Sequence, residues 1–206
     1  MTEAEWLRCS QPRRMLDYLR GKASKRKMVL FACASCRRVW DKINDARSRR
    51  AVETTERFAD GWASENELQN AEEEAELACI AGDDPTARAI RAAFAAVSGS
   101  PWAVNHQLLP GNKLGARKQQ ASILIEVFGN PFRPVALDPA WLQWNGGTVR
   151  KMAQAIYDDR AFDRLPILAD ALEEATCTNR DLLDHSRSGG EHVRGCWAVD
   201  LLLGKE

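Results

Sequence analysis

The chain has 206 residues, of which 45% are hydrophobic and 28% charged, and 29 Lys/Arg balance 29 Asp/Glu to a net charge of zero. That length buries a sizeable core without help from disulfides or metal, and the neutral total carries no strong nucleic-acid signature. The acidic N-terminus and the absence of any stretch near the roughly 18–20 apolar residues of a membrane span exclude a transmembrane reading and point to a soluble, cytoplasmic protein.

In chain order the elements read as helices. Thr2 and Glu5 form a capping box before a short first helix. Ser10 and Pro12 start a second, which stops near Gly21. Ser24 opens a long third helix of about 20 residues carrying Met28, Leu30, Phe31, Val39, Trp40 and Ile43. Arg47 to Asp60 reads as a fourth, with Gly61 as its stop. Ser64 and Glu67 cap a very acidic fifth helix toward Ile80, in which Ala71, Ala75 and Ala78 suit close packing.

Asp84-Pro85 starts an Ala-rich helix to Val97, and the Gly- and Pro-containing segment to Gly115 reads as a loop around Trp102 and His106. Residues 116–128 are again helical. The segment 129–147, with three prolines and two tryptophans, reads as an extended, packed loop. Thr148 then caps a helix through Tyr157, Asp163 precedes one with Pro166 in its first turn, Thr178 caps another to about His185, and the last spans His192 to Leu203. No apolar/polar alternation marks a strand. The expectation is an all-α fold: a compact multi-helix, bundle-like single domain over residues 1–206 with two long ordered loops, and a weak subdivision near residue 112.

The charge is unevenly placed. Residues 1–50 hold 14 Lys/Arg against 5 Asp/Glu, a net of +9, and residues 51–85 hold 1 against 11, a net of −10. The blocks can neutralise each other within the fold, which is the favoured reading, or each can face a partner. The sharper alternative is a nucleic-acid-binding accessory protein that uses the basic face of Arg13, Arg14, Lys22, Lys25, Arg26 and Lys27.

Six cysteines without a signal peptide read as thiols or metal ligands rather than a disulfide framework. Cys33 and Cys36 stand three apart, on one face of a helix. His192 and Cys196 stand four apart, also on one face. Three thiolates and an imidazole are the donor set of closed, tetrahedral structural zinc. Such a metal would clip the third helix to the last and close nearly the whole chain into one loop. The competing reading makes these cysteines ordinary core residues; a redox role for the Cys-x-x-Cys pair lacks the strand that normally precedes one.

Cys177 could substitute as a ligand, and Cys9 and Cys79 read as core or partly exposed thiols. His106 and His185 read as hydrogen-bonded structural histidines, and Asp158, Asp159 and Asp163 as helix caps or solvent-facing acids. The Asn145-Gly146-Gly147-Thr148 run reads as a turn and N-cap rather than a phosphate site, since no strand precedes it and the phosphate-loop lysine is missing.

Several stretches resemble an uncharacterised bacterial family that occurs in many copies per genome. They are Phe128-Gly-Asn-Pro-Phe-Arg-Pro-Val, Trp144-Asn-Gly-Gly-Thr, Leu165-Pro-Ile-Leu-Ala-Asp-Ala-Leu-Glu-Glu-Ala and His192-Val-Arg-Gly-Cys-Trp. Near the N-terminus Glu3-Ala-Glu-Trp, Phe31-Ala-Cys-Ala-Ser-Cys-Arg-Arg and Ser48-Arg-Arg-Ala-Val-Glu are similar too. The resemblance implies no activity and no catalytic residues. In that family a cysteine often follows the histidine matching His185. This chain has Ser186 there, which counts against a ligand role for that segment. The functional expectation is a non-enzymatic interaction or regulatory module, with a protein partner and a structural zinc. The alternatives are the nucleic-acid binder and an enzyme working from the Trp102/His106 or Trp141/Trp144 loops.

Overall fold

The computed structural model describes residues 1–81 and 114–205, with no side-chain account of residues 79–81 and 114. The described residues are all-α and contain no strand. None of their helices is long and apolar enough to cross a membrane. The expected helix from Asp84 and the Trp102/His106 loop lie outside the described residues. The chain divides into two compact units, Met1–Leu124 and Ile125–Glu206. The division falls twelve residues beyond the expected weak point, inside a helix.

The first unit begins with α1 (Glu3–Arg8), and its capping box is formed as the sequence indicates: the Thr2 hydroxyl accepts from the Glu5 amide, and the Glu5 carboxylate accepts from the Thr2 amide. Trp6 is fully buried and lies against Tyr18 of α2 (Pro12–Leu19). Next comes α3 (Lys25–Arg37), capped by Ser24 and buried at every position from Met28 to Cys36. A helix that is apolar all round has to be enclosed by its neighbours. The long third helix of the sequence reading therefore stops at Arg37, and Trp40–Lys42 form a separate 3-10 turn.

Asp45 caps α4 (Ala46–Ala59), which packs against α3 and against α5 (Glu65–Ala81). Glu56 and Asp60, both acids inside this unit, are met by Arg37 and Arg26 at 2.7 Å and 3.0 Å. The exposed pairs Arg50–Glu74 and Arg57–Glu67 join α4 to the acidic α5. Part of the charge asymmetry is thus absorbed between neighbouring helices.

Helix α6 (Leu114–Phe128) carries the start of the second unit at its C-terminal turn. Gly129 ends it in the left-handed conformation, φ +62°. Asp138 caps α7 (Pro139–Asp159), accepting from the Ala140 amide at 2.9 Å. The expected loop thus becomes helical from Pro139. The interruption comes later: Trp144 is extended, and Asn145, Gly146 and Gly147 have φ of +46°, +66° and +84°. Two glycines and an asparagine tolerate that turn.

After a 3-10 turn at Phe162–Arg164 come α8 (Leu165–Glu174), with Pro166 in its first turn, and α9 (Arg180–Arg187). Asn179, one residue beyond the expected Thr178, caps α9. The final helix, α10, spans only Trp197–Leu203 and ends at Gly204. Its expected start at His192 is replaced by a turn around Gly195, φ +92°. Fully buried Val149, Tyr157, Leu165, Leu168, Leu182 and Leu202 belong to the core of this unit. Each large side chain buried there contributes roughly 1.5–3 kcal/mol of transfer free energy.

Candidate metal centre

Near α6, α9 and the turn before α10, the described residues hold one group able to bind a metal ion: Glu126, His185, His192 and Cys196. One donor atom from each lies within 4.8 Å of the others. All four belong to the second unit. The sequence reading named His192 and Cys196 and paired them with Cys33 and Cys36. Those two cysteines are buried on α3, in the first unit. The donors gathered beside His192 and Cys196 are Glu126 and His185, which the sequence reading did not select.

Each donor has a local reason for its place. Glu126 sits in the last turn of α6, three residues before the left-handed Gly129. His185 is in the last turn of α9, whose N-cap Asn179 fixes the helical phase. His192 and Cys196 share no helix face. They are brought together by the turn, in which the Cys196 amide donates to the Val193 carbonyl at 2.9 Å, and Cys196 is the N-cap of α10.

Three of the contacts are short, within a group whose donor atoms span up to 4.8 Å. His185 Nε2 is 3.2 Å from Cys196 Sγ and 3.5 Å from Glu126 Oε2. His192 Nδ1 is 3.0 Å from Glu126 Oε1. Ligand atoms bonded to one tetrahedral zinc stand about 3.3–3.8 Å apart, given bond lengths near 2.0–2.3 Å. Both oxygens of Glu126 face imidazole nitrogens.

Seclusion is equally suited. Cys196 is fully buried and Glu126 is 8% exposed. The side chains of His185 and His192 are 15% and 5% exposed. The donor set of two neutral imidazoles, a carboxylate and a thiolate carries two negative charges, which a divalent ion neutralises. Borderline-soft donors of this kind fit zinc better than magnesium or calcium.

The other ring nitrogen of His192 is held by a backbone carbonyl. Its Nε2–H donates to the Ser188 carbonyl at 3.2 Å. With a metal bound, that bond would fix the tautomer and leave the Nδ1 lone pair for the ion; in the structure, Nδ1 faces Glu126 Oε1. Behind His185, the ring of Trp197 lies 4.9 Å away between centroids, and the His192 ring meets it edge-on at 5.1 Å.

The protonation preferences without metal follow from burial and charge. Burial, reinforced by the charge of Glu126, holds the Cys196 thiol well above the ordinary cysteine range, against the backbone amides of Val199 and Ala198. Burial pushes His185 down more than Glu126 raises it. For His192 burial also opposes charge, but the bonds to Glu126 and to the Ser188 carbonyl prevail and its pKa is raised. A buried, protonated thiol is a poor nucleophile. Glu126 and Cys196 also approach the same nitrogen of His185, whereas a catalytic triad needs the acid on the opposite one. The arrangement suits a metal better than a Cys–His nucleophile.

The remaining sequence candidates are placed as follows. Cys36 is pushed up to about 12 by burial and by Glu56, against Arg37, and belongs to the core beside Cys33. Cys177 is a buried thiol at the end of α8. Ser186, where the resembled family has cysteine, is buried and donates to the Leu182 carbonyl, yet the neighbouring His185 joins the cluster. Trp141 is buried in the core and Trp144 packs against it. Asp158, Asp159 and Asp163 are exposed, and Asn145–Gly147 form the left-handed turn. Of the basic face, Arg13, Arg14, Lys22 and Lys25 are exposed, Lys27 is half-buried, and Arg26 is engaged by Asp60. Lys22 lies over the Tyr18 ring and Arg14 reaches Glu5.

Glu126 could not be selected from sequence spacing, because its neighbour His192 is 66 residues away. The available signal for His185 was its distance of 7 residues from His192 across the Ser188-Gly189-Gly190 turn, which lets the chain fold back on itself. No family model, curated protein or solved structure matches the chain.

Proposed function

We propose that this protein is a non-enzymatic interaction or regulatory module whose second unit is secured by a structural zinc ion held by Glu126, His185, His192 and Cys196. The observation that carries the reading is the convergence of four different donor atoms within 4.8 Å, at a secluded place, from three separate segments of the chain. A metal there ties residue 126 to residue 196. It restrains the unfolded chain and joins the end of α6 to the start of α10. Four protein donors complete a tetrahedron, which is the mark of structural rather than catalytic zinc.

A thiolate ligand calls for a reducing compartment, and the free thiols at Cys9, Cys33, Cys36, Cys177 and Cys196 accord with the cytoplasm. The nucleic-acid reading ranks second, because Arg26 already serves an internal acid and Arg14 reaches Glu5. The test is equilibrium zinc binding by the full chain after chelator treatment. One tight equivalent, lost in His192→Ala and retained in Lys25→Ala, is expected. No binding by the wild-type chain overturns the reading.

A further inference from the structure

A cleft of about 380 Å³ lies beside the four-donor group, within the second unit. One wall is Phe162, Asp163 and Pro166, at the start of α8. The other is Ser188, Gly190 and His192. The second wall is therefore a strap of chain that carries a proposed metal ligand.

The strap is weakly packed along its outer part. Ser188, Gly189, Gly190 and Glu191 are all exposed. A Cβ placed on Gly189 would meet nothing within 4 Å, and one on Gly190 would meet only the Ser188 hydroxyl. Consecutive glycines lose the most backbone entropy on ordering. Val193, Arg194, Gly195 and Cys196 are buried, so the far end is fixed by packing. Polar bonds help to fasten the strap: the Ser188 hydroxyl donates to the His185 carbonyl at 2.7 Å, and His192 bridges Glu126 and the Ser188 carbonyl. His192 and Glu126 both belong to the donor group, so the bridge through His192 lies at the candidate metal position. Coordination at His192 Nδ1 would replace its contact with the Glu126 carboxylate by a directional metal bond, while leaving the Nε2–H bond to Ser188 in place.

We infer that metal occupancy at this cluster closes the Ser188–His192 strap and thereby shapes one wall of the adjoining cleft, making the cleft metal-dependent. This rests on the metal reading above. Segments with few buried contacts and exposed backbone open locally at low free energy, and a ligand that binds the closed form suppresses that opening by mass action.

The test is amide hydrogen exchange on the full chain, chelator-treated, with and without one equivalent of zinc, and zinc binding measured in the same samples. Exchange over Ser188–His192 is expected to slow by about tenfold, while α8 changes by less than about twofold. One equivalent bound with exchange in the strap unchanged overturns this inference and leaves the metal reading standing. Equal slowing in α8 and the strap also overturns it, since the effect is then general stabilisation. Absence of zinc binding overturns the metal reading, and this inference with it.

Discussion

Gly129 and Trp197 approach so closely that a Cβ added to the glycine would lie 3.0 Å from Cγ of the indole. The glycine is also left-handed, at φ +62°. The same indole packs on the ring of His185. The contact thus sets the C-terminal turn of α6, which carries Glu126, against the residue that follows Cys196. Gly129→Ala is expected to destabilise the fold by roughly 2–3 kcal/mol, from backbone strain and overpacking together. It should also weaken zinc binding by moving Trp197 and His185. Denaturant unfolding and zinc titration of the variant check both; a variant as stable as wild type would contradict the packing described.

Much of the local structure was legible in the sequence because it depends on neighbours in the chain. The Thr2/Glu5 and Ser64/Glu67 boxes form as their spacing indicates, with both carboxylates accepting from the cap amides. Errors arose where tertiary packing decided. Val39, Trp40 and Ile43 continue the apolar pattern of α3, but the chain leaves the helix at Arg37, where the guanidinium turns to Glu56 and Trp40 packs beneath it at 3.9 Å. The spacing of His192 and Cys196 predicts a shared helix face, yet they meet across a turn. Their partners could not be read from spacing, because Glu126 and His185 come from separate helices and only the fold brings them together.

The Arg37–Glu56 pair gives a second prediction. Glu56 is 1% exposed and both its oxygens accept from Arg37, at 3.1 Å and 2.7 Å. Glu56→Ala leaves a half-buried guanidinium without that partner and is expected to cost roughly 2–4 kcal/mol, at the lower end of buried ion-pair losses because Arg37 keeps some access to water. Chemical denaturation measures it, and a loss below about 0.5 kcal/mol, typical of a surface pair, would contradict the account.

Asp45 supplies the pH dependence. Its carboxylate caps α4 and accepts from the Arg47 side chain and amide, which hold its pKa down to about 2 from an ordinary 3.8. A depressed carboxylate contributes its stability above the unfolded-state value. That contribution is lost as the pH falls through the folded one. The stability difference between wild type and Asp45→Asn, which keeps a capping side chain, should therefore be constant above about pH 5 and shrink between about pH 4 and 2. A difference that does not vary over that range would show that the charge contributes nothing.

Thiol accessibility offers a further check on burial. Cys9 is partly exposed beside Gln11, while Cys33, Cys36, Cys177 and Cys196 are buried. In the folded, zinc-loaded chain at about pH 8, a maleimide should label Cys9 well before those four, with sites mapped by mass spectrometry. Labelling of Cys196 as fast as Cys9 would contradict its seclusion.

The most direct test of the central claim is zinc content by elemental analysis, on protein purified without chelator or metal-affinity tag, for wild type, Cys196→Ala and Cys33→Ala. The account predicts about one zinc per chain in wild type and in Cys33→Ala, and little or none in Cys196→Ala. Wild-type protein without zinc, or zinc lost from Cys33→Ala while Cys196→Ala keeps it, would contradict a metal centre at Glu126, His185, His192 and Cys196.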